Sequence, residues 1–155
     1  MGCGKAAGGG VLPVSFVAGR NDVIDVLTPG SEGSTFGGYP LGAVIATYAI
    51  KVLVDDHLAD KAKERGDQLI GRFNAMKDRF PNKVKSVRGR GLLTAFEMHD
   101  AAELDGHHIS VALLKKGVYA KETHRTTVRV APALTISAEQ IDRIADAVED
   151  VIRSL

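Results

Sequence analysis

Of the 17 glycines in this 155-residue chain, ten fall in the first 40 residues, together with Pro13, Pro29 and Pro40. Glycine loses the most backbone freedom on folding and proline lacks an N–H donor, so regular elements in that stretch must be short. The region reads as loops around a strand over 11–17, interrupted by Pro13 and Ser15, and a short helix over 22–27 capped by Asn21. A glycine-rich loop over 30–38 completes it.

Beyond residue 40 the pattern becomes helical. Pro40 suits the first turn of a helix, where its missing N–H costs nothing. Residues 41–54 are nearly all apolar or small, which predicts a helix buried on most of its surface. An amphipathic stretch follows, with Leu58, Ala62, Leu69, Ile70, Phe73 and Met76 separated by charges, and Pro81 ends it. Strands are expected over 83–87 and 92–98, joined through Arg88-Gly89-Arg90-Gly91, then a helix over 106–116 and short strands over 118–121 and 126–131. Ser137 and Gln140 form a capping box for a last helix, whose apolar face is Ile141, Ile144, Ala145, Val148 and Ile152. The expectation is a compact α/β unit with a loop-rich arm in front.

Composition excludes several classes. With 45% hydrophobic and 25% charged residues, the chain is globular. A net charge of +1 gives no reason to expect a nucleic-acid or anionic-membrane partner. No apolar run approaches the roughly 20 residues of a membrane span. The lone Cys3 cannot form an intramolecular disulfide and fits a reducing compartment. The glycine-rich start lacks the apolar stretch of a secretory signal, so a cytoplasmic location is expected.

Four groups of residues can carry chemistry. Lys5 sits among glycines, where a lysine is ordinarily solvated and becomes a good amine nucleophile only when desolvated. Ser34 and Thr35 lie in a glycine-rich loop just before a helix, placing hydroxyls and backbone N–H groups where a phosphate can meet a positive helix end; a plain capped loop is the competing reading. His99, Asp100, Glu103, His107 and His108 crowd together, but their spacing fits no structural zinc pattern and reads as a polar loop. Arg129 is flanked by strand formers in Val128-Arg129-Val130-Ala131-Pro132. An arginine on a mostly buried strand needs an anionic partner, either a substrate carboxylate or an internal Asp or Glu.

Taken in order, Gly4-Lys5-Ala6-Ala7-Gly8-Gly9-Gly10, the run from Gly33 to Gly42, Val87-Arg88-Gly89-Arg90-Gly91-Leu92-Leu93, and Ala120-Lys121-Glu122-Thr123-His124 with Val128 to Pro132 resemble the class III pyridoxal-phosphate aminotransferases. The match covers essentially the whole chain. Gly42 after Pro-Leu and the Ala120 to His124 segment resemble the ornithine branch of the family more than its acetylornithine or 4-aminobutyrate branches. The resemblance implies the C-terminal part of a fold-type I α/β enzyme. Residues 1–40 would be a remnant of the large cofactor domain, 41–82 connector helices and 83–155 a small C-terminal domain.

It also implies roles. Lys5 would bind the pyridoxal 5'-phosphate aldehyde and move the proton in each half-reaction, and Ser34 and Thr35 would hold the cofactor phosphate across a dimer interface. Arg129 would bind the α-carboxylate of glutamate or 2-oxoglutarate. The implied reaction passes the δ-amino group of ornithine to 2-oxoglutarate. Tyr39 stands where the family usually has Asn, which changes what packs against the phosphate loop. The family's aspartate for the pyridine nitrogen, its ring-stacking aromatic and its substrate-selecting aromatics have no counterpart in these residues. The chain is therefore expected to be incomplete alone and to need a separate N-terminal half or a homo-oligomer; a non-catalytic interaction module is the other expectation.

Overall fold

The computed structural model describes residues 1–100 and 105–155 of the chain. They divide into two compact units, Met1–His57 and Leu58–Leu155.

The first unit is thinly packed. Strand β1 (Gly2–Cys3) pairs antiparallel with β2 (Phe16–Val17), and a short 3-10 helix spans Lys5–Gly8 between them. The strand expected over 11–17 is thus reduced to its last two residues. Val11 and Leu12 instead donate their N–H groups to the Gly8 carbonyl, closing a turn, and Pro13 has no N–H to give a ladder. Helix α1 is a single turn, Asn21–Ile24, capped by Arg20 and not by Asn21. The Arg20 guanidinium reaches Asp22, at 3.0 and 2.6 Å.

Helix α2 (Pro40–Asp55) starts on Pro40 as expected. Its burial is not as expected: only Gly42 and Ala46 are buried, whereas Leu41 and Tyr48 are 61% and 65% exposed. The helix lies against the 3-10 turn with its small residues. A Cβ on Gly9 would stand 3.2 Å from the Ala49 Cβ. Apart from Thr47 and the Lys51–Asp55 pair the helix is apolar or small on every side, more than so small a unit covers.

The second unit holds the core. Four antiparallel strands, β3 (Val84–Arg90), β4 (Leu93–Met98), β5 (Lys121–His124) and β6 (Thr127–Val130), form a sheet in the order β3-β4-β6-β5. Helices α3 (Leu58–Arg79), α4 (Gly106–Lys115) and α5 (Ala138–Ser154) complete it. Alternation along the strands sends Phe96, Met98, Val128 and Val130 into one cluster with Leu69, Phe73 and Met76 of α3, Ile109 and Leu113 of α4 and Ile141, Val148 and Ile152 of α5. Phe73 and Phe96 meet edge to face, 5.5 Å between centroids. Between α3 and α5, Arg72 bonds Asp142 at 2.6 Å and also pairs with Asp146, and Arg79 pairs with the buried Glu149.

Two boundaries moved. The hairpin turn is Gly91-Leu92 alone, with β3 running on through Arg88-Gly89-Arg90, and Gly91 takes a φ of +54°. The strand expected over 118–121 begins only at Lys121. Val118 belongs to the end of α4, where its N–H bonds the Leu113 carbonyl and that of Gly117, at φ +78°, bonds Leu114. That is the Schellman arrangement, which a glycine past the helix end favours. The capping box at Ser137 and Gln140 is formed in both directions.

Candidate active site

Lys5 opens the 3-10 turn with a φ of +54°, a left-handed value that a lysine adopts only at some cost. Its side chain is exposed and makes no ion pair among the described residues. It lines a cavity of about 1030 Å³ with Cys3, Gly10 and the segment 11–17.

Ser34 lines a second cavity of about 550 Å³, walled by Phe36, Tyr39, Thr47 and Ile50. The two cavities share Pro13, Val14, Ser15 and Phe16 as a common wall. Thr35 sits beside Ser34 in an exposed turn, closed by the Gly37 N–H on the Ser34 carbonyl at 3.0 Å. Neither hydroxyl makes a hydrogen bond within the described residues, so both remain available to an anion. Amine and hydroxyl thus fall in one unit, on either side of one short segment.

Tyr39 fastens this loop. Its hydroxyl donates to the Pro13 carbonyl at 3.3 Å, and its ring meets Phe36 edge-on at 6.2 Å. The ring also lies over Gly42, where a Cβ would come within 2.5 Å of it. A side chain at position 42 would have to push the tyrosine ring aside. Nothing in the sequence pattern pointed to this clamp, since it joins residues 26 apart.

Arg129 lies in the other unit and departs from its expected surroundings. It faces out of the sheet, exposed between the buried Val128 and Val130. No internal Asp or Glu pairs with it among the described residues. Its neighbours across the sheet are Ala95 on β4 and Lys121 on β5.

Arg88, opposite Ala95, is engaged: it meets Glu97 at 3.3 Å, and Lys85 and Ser86 bond the same carboxylate at 2.8 and 3.0 Å. These bonds, that of Lys85 foremost, hold the Glu97 carboxyl below its ordinary range. The sheet therefore carries one cluster gathered on Glu97 and, in the same row as Arg88, two cations, Arg129 and Lys121, that form no salt bridge among the described residues.

The polar loop residues go elsewhere. His99 Nε2 lies 3.1 Å from the Pro81 carbonyl, Asp100 pairs with Arg125, and His107 Nδ1 is 3.7 Å from Glu122. Glu103 lies outside the described residues. No helix among the described residues is long and apolar enough to cross a membrane.

An amine on a strained turn and free hydroxyls in a loop at a helix start lie in the first unit, and an outward arginine lies in the second. The family model for class III aminotransferases matches residues 1–152, and the chain belongs to that family. It is 40% identical over 151 residues to the mitochondrial ornithine aminotransferase of Arabidopsis thaliana, a match covering 96% of this chain and 32% of that protein. The structure of the ornithine aminotransferase from Toxoplasma gondii superposes with a TM-score of 0.92 at 36% identity, over 99% of this chain and 36% of that one. The acetylornithine aminotransferase from Elizabethkingia anophelis superposes equally well, with a TM-score of 0.92 at 34% identity over 99% of this chain and 38% of that one. The chain thus spans about a third of the length of the relatives it matches. Its fold is part of the mixed α/β aminotransferase fold.

Proposed function

We propose that this chain supplies the Lys5-bearing part of an ornithine aminotransferase, which passes the δ-amino group of ornithine to 2-oxoglutarate and yields glutamate 5-semialdehyde and glutamate. The observation that carries this reading is the pairing of Lys5 and Ser34 across the wall Pro13 to Phe16, in a chain 40% identical over 151 residues to such an enzyme.

Pyridoxal phosphate, when bound, supplies an aldehyde that takes up the amino group and a ring that accepts the electrons released at the substrate carbon. Lys5 Nζ fits that partner as an unpaired primary amine at the edge of an open cavity, and it carries the proton between substrate and cofactor carbons. Ser34 and Thr35 donate hydroxyls to the phosphate. The loop's place ahead of α2 adds the positive end of a 16-residue helix. Arg129 grips the carboxylate of the 2-oxo acid with its planar fork. Groups that protonate and stack the ring belong to the about two thirds of the relatives' length that this chain does not span.

Acetylornithine transfer is the second reading, favoured by the equally close superposition on the Elizabethkingia enzyme. The test is to combine the chain with an N-terminal part of an ornithine aminotransferase and measure semialdehyde formed from ornithine and from N-acetylornithine. Preference for ornithine, abolished by Lys5→Ala, is the expected result. Preference for N-acetylornithine would establish the second reading, and no product from either would refute both.

A further inference from the structure

We infer that Lys121 is a second reader of the carboxylate that Arg129 binds, so that the two side chains together select the 2-oxo acid. This rests on the carboxylate role proposed for Arg129.

The strand register brings them together. Arg129 on β6 is paired directly with Lys121 on β5. Directly opposed residues of an antiparallel pair point to the same face with Cβ atoms about 4.5–5.5 Å apart. Both side chains are exposed on the face away from the buried Val128 and Val130. The residue paired with Arg129 on its other side is Ala95, whose methyl leaves the floor between the strands low.

Charge then decides what fits. Of the three cations in this row, Arg88 already shares Glu97 with Lys85 and Ser86. Glu122, the carboxylate next to Lys121 in sequence, is paired with Val128 and lies 3.7 Å from His107 of α4, the side away from Arg129. Lys121 feels the Glu122 carboxylate through space, but neither it nor Arg129 forms a salt bridge among the described residues, so two like charges stand directly opposed, an arrangement that an anion between them makes favourable. The fork of Arg129 sets the plane of a bound carboxylate, and the ammonium of Lys121 adds a point charge at its side.

The test is a titration of the 155-residue chain with 2-oxoglutarate, followed by NMR at the Arg129 Nε–H and the Ala95 and Lys121 amides. Lys121→Met should weaken binding about 2- to 5-fold, as for an exposed charge pair, and Lys121→Arg should restore it. The Lys121 contribution should vanish near 1 M salt, where the screening length is about 3 Å. Lys115→Met, the same loss of charge on α4, should change nothing. In the assembled enzyme, Lys121→Met should raise KM for 2-oxoglutarate and leave kcat unaltered. Unchanged affinity in Lys121→Met, with Arg129→Met still abolishing the shifts, would overturn this inference and leave the role of Arg129 standing. Unchanged shifts in Arg129→Met would overturn both.

Discussion

Gly66 of α3 rests directly on the backbone of Gly91, so closely that a Cβ on Gly66 would stand 2.1 Å from the Gly91 carbonyl oxygen. The helix crosses the β3–β4 hairpin at its turn, and the contact is backbone against backbone, which cannot yield as a side chain would. Gly66→Ala should therefore cost about 1–3 kcal/mol of stability. Gly71, on the same helix with nothing within 4 Å, is the control, where alanine should stabilise by about 1 kcal/mol. Urea midpoints of the two variants check both signs.

Gly42→Ala should loosen the loop that carries Ser34 and Thr35 through Tyr39. The added methyl would meet the tyrosine ring at 2.5 Å and displace it, breaking its bond to Pro13. Pyridoxal phosphate affinity of the assembled enzyme should fall. Tyr39→Asn removes the ring and should make Gly42→Ala nearly harmless. Strict additivity of the two substitutions would refute the clamp.

Arg129→Lys keeps the charge and loses the planar fork. In the assembled enzyme it should cost on the order of 1.5–3 kcal/mol, or about 10- to 100-fold in kcat/KM for 2-oxoglutarate. The ornithine half-reaction should suffer less. Single-turnover rates of each half-reaction separate the two, and equal losses would assign Arg129 a structural role.

Acid should act through Glu97. Its folded pKa lies below the ordinary 4.5 because Lys85, Ser86 and Arg88 favour the carboxylate. Its contribution is then fully present above 4.5 and is lost as pH falls through the lower folded value. Glu97→Gln should flatten the acid side of the curve of Tm against pH and leave its slope at neutral pH unaltered. A side-chain NMR titration of Glu97 gives the folded value directly.

How far the sequence disclosed all this differs by element. Helix α5 was fully legible, because Ser137 with Gln140 and the spacing of Ile141, Ala145, Val148 and Ile152 are local signals that agree with one another. The end of α4 was not, since Val118 has strand character and its bond to Leu113 depends on the left-handed turn at Gly117. The surroundings of Arg129 were misjudged by reading its apolar neighbours as burial on both faces; two-residue alternation sends it outward between them. Lys121 and Tyr39 owe their significance to strand register and to a contact across 26 residues, which no local pattern contains.

Amide exchange should divide the chain at the boundary of its two units. Only Gly8, Gly42 and Ala46 are buried within residues 1–57, none with a side chain larger than a methyl, whereas 58–155 close over Phe73, Phe96 and Ile152. Exchange should be fast throughout 1–57 and slow in β4, β6 and α5. Equal protection in both units would contradict this.

If Arg129 and Lys121 together hold a carboxylate, as inferred above, a 2-oxo acid is also a folding ligand. Like charges face one another across β5 and β6, and an anion that joins them turns a weak repulsion into an attraction. Because the unfolded chain has no such pair, each tenfold rise in free anion above its dissociation constant should add to thermal stability by mass action. A 2-oxo acid would then protect this sheet from unfolding at concentrations near its dissociation constant.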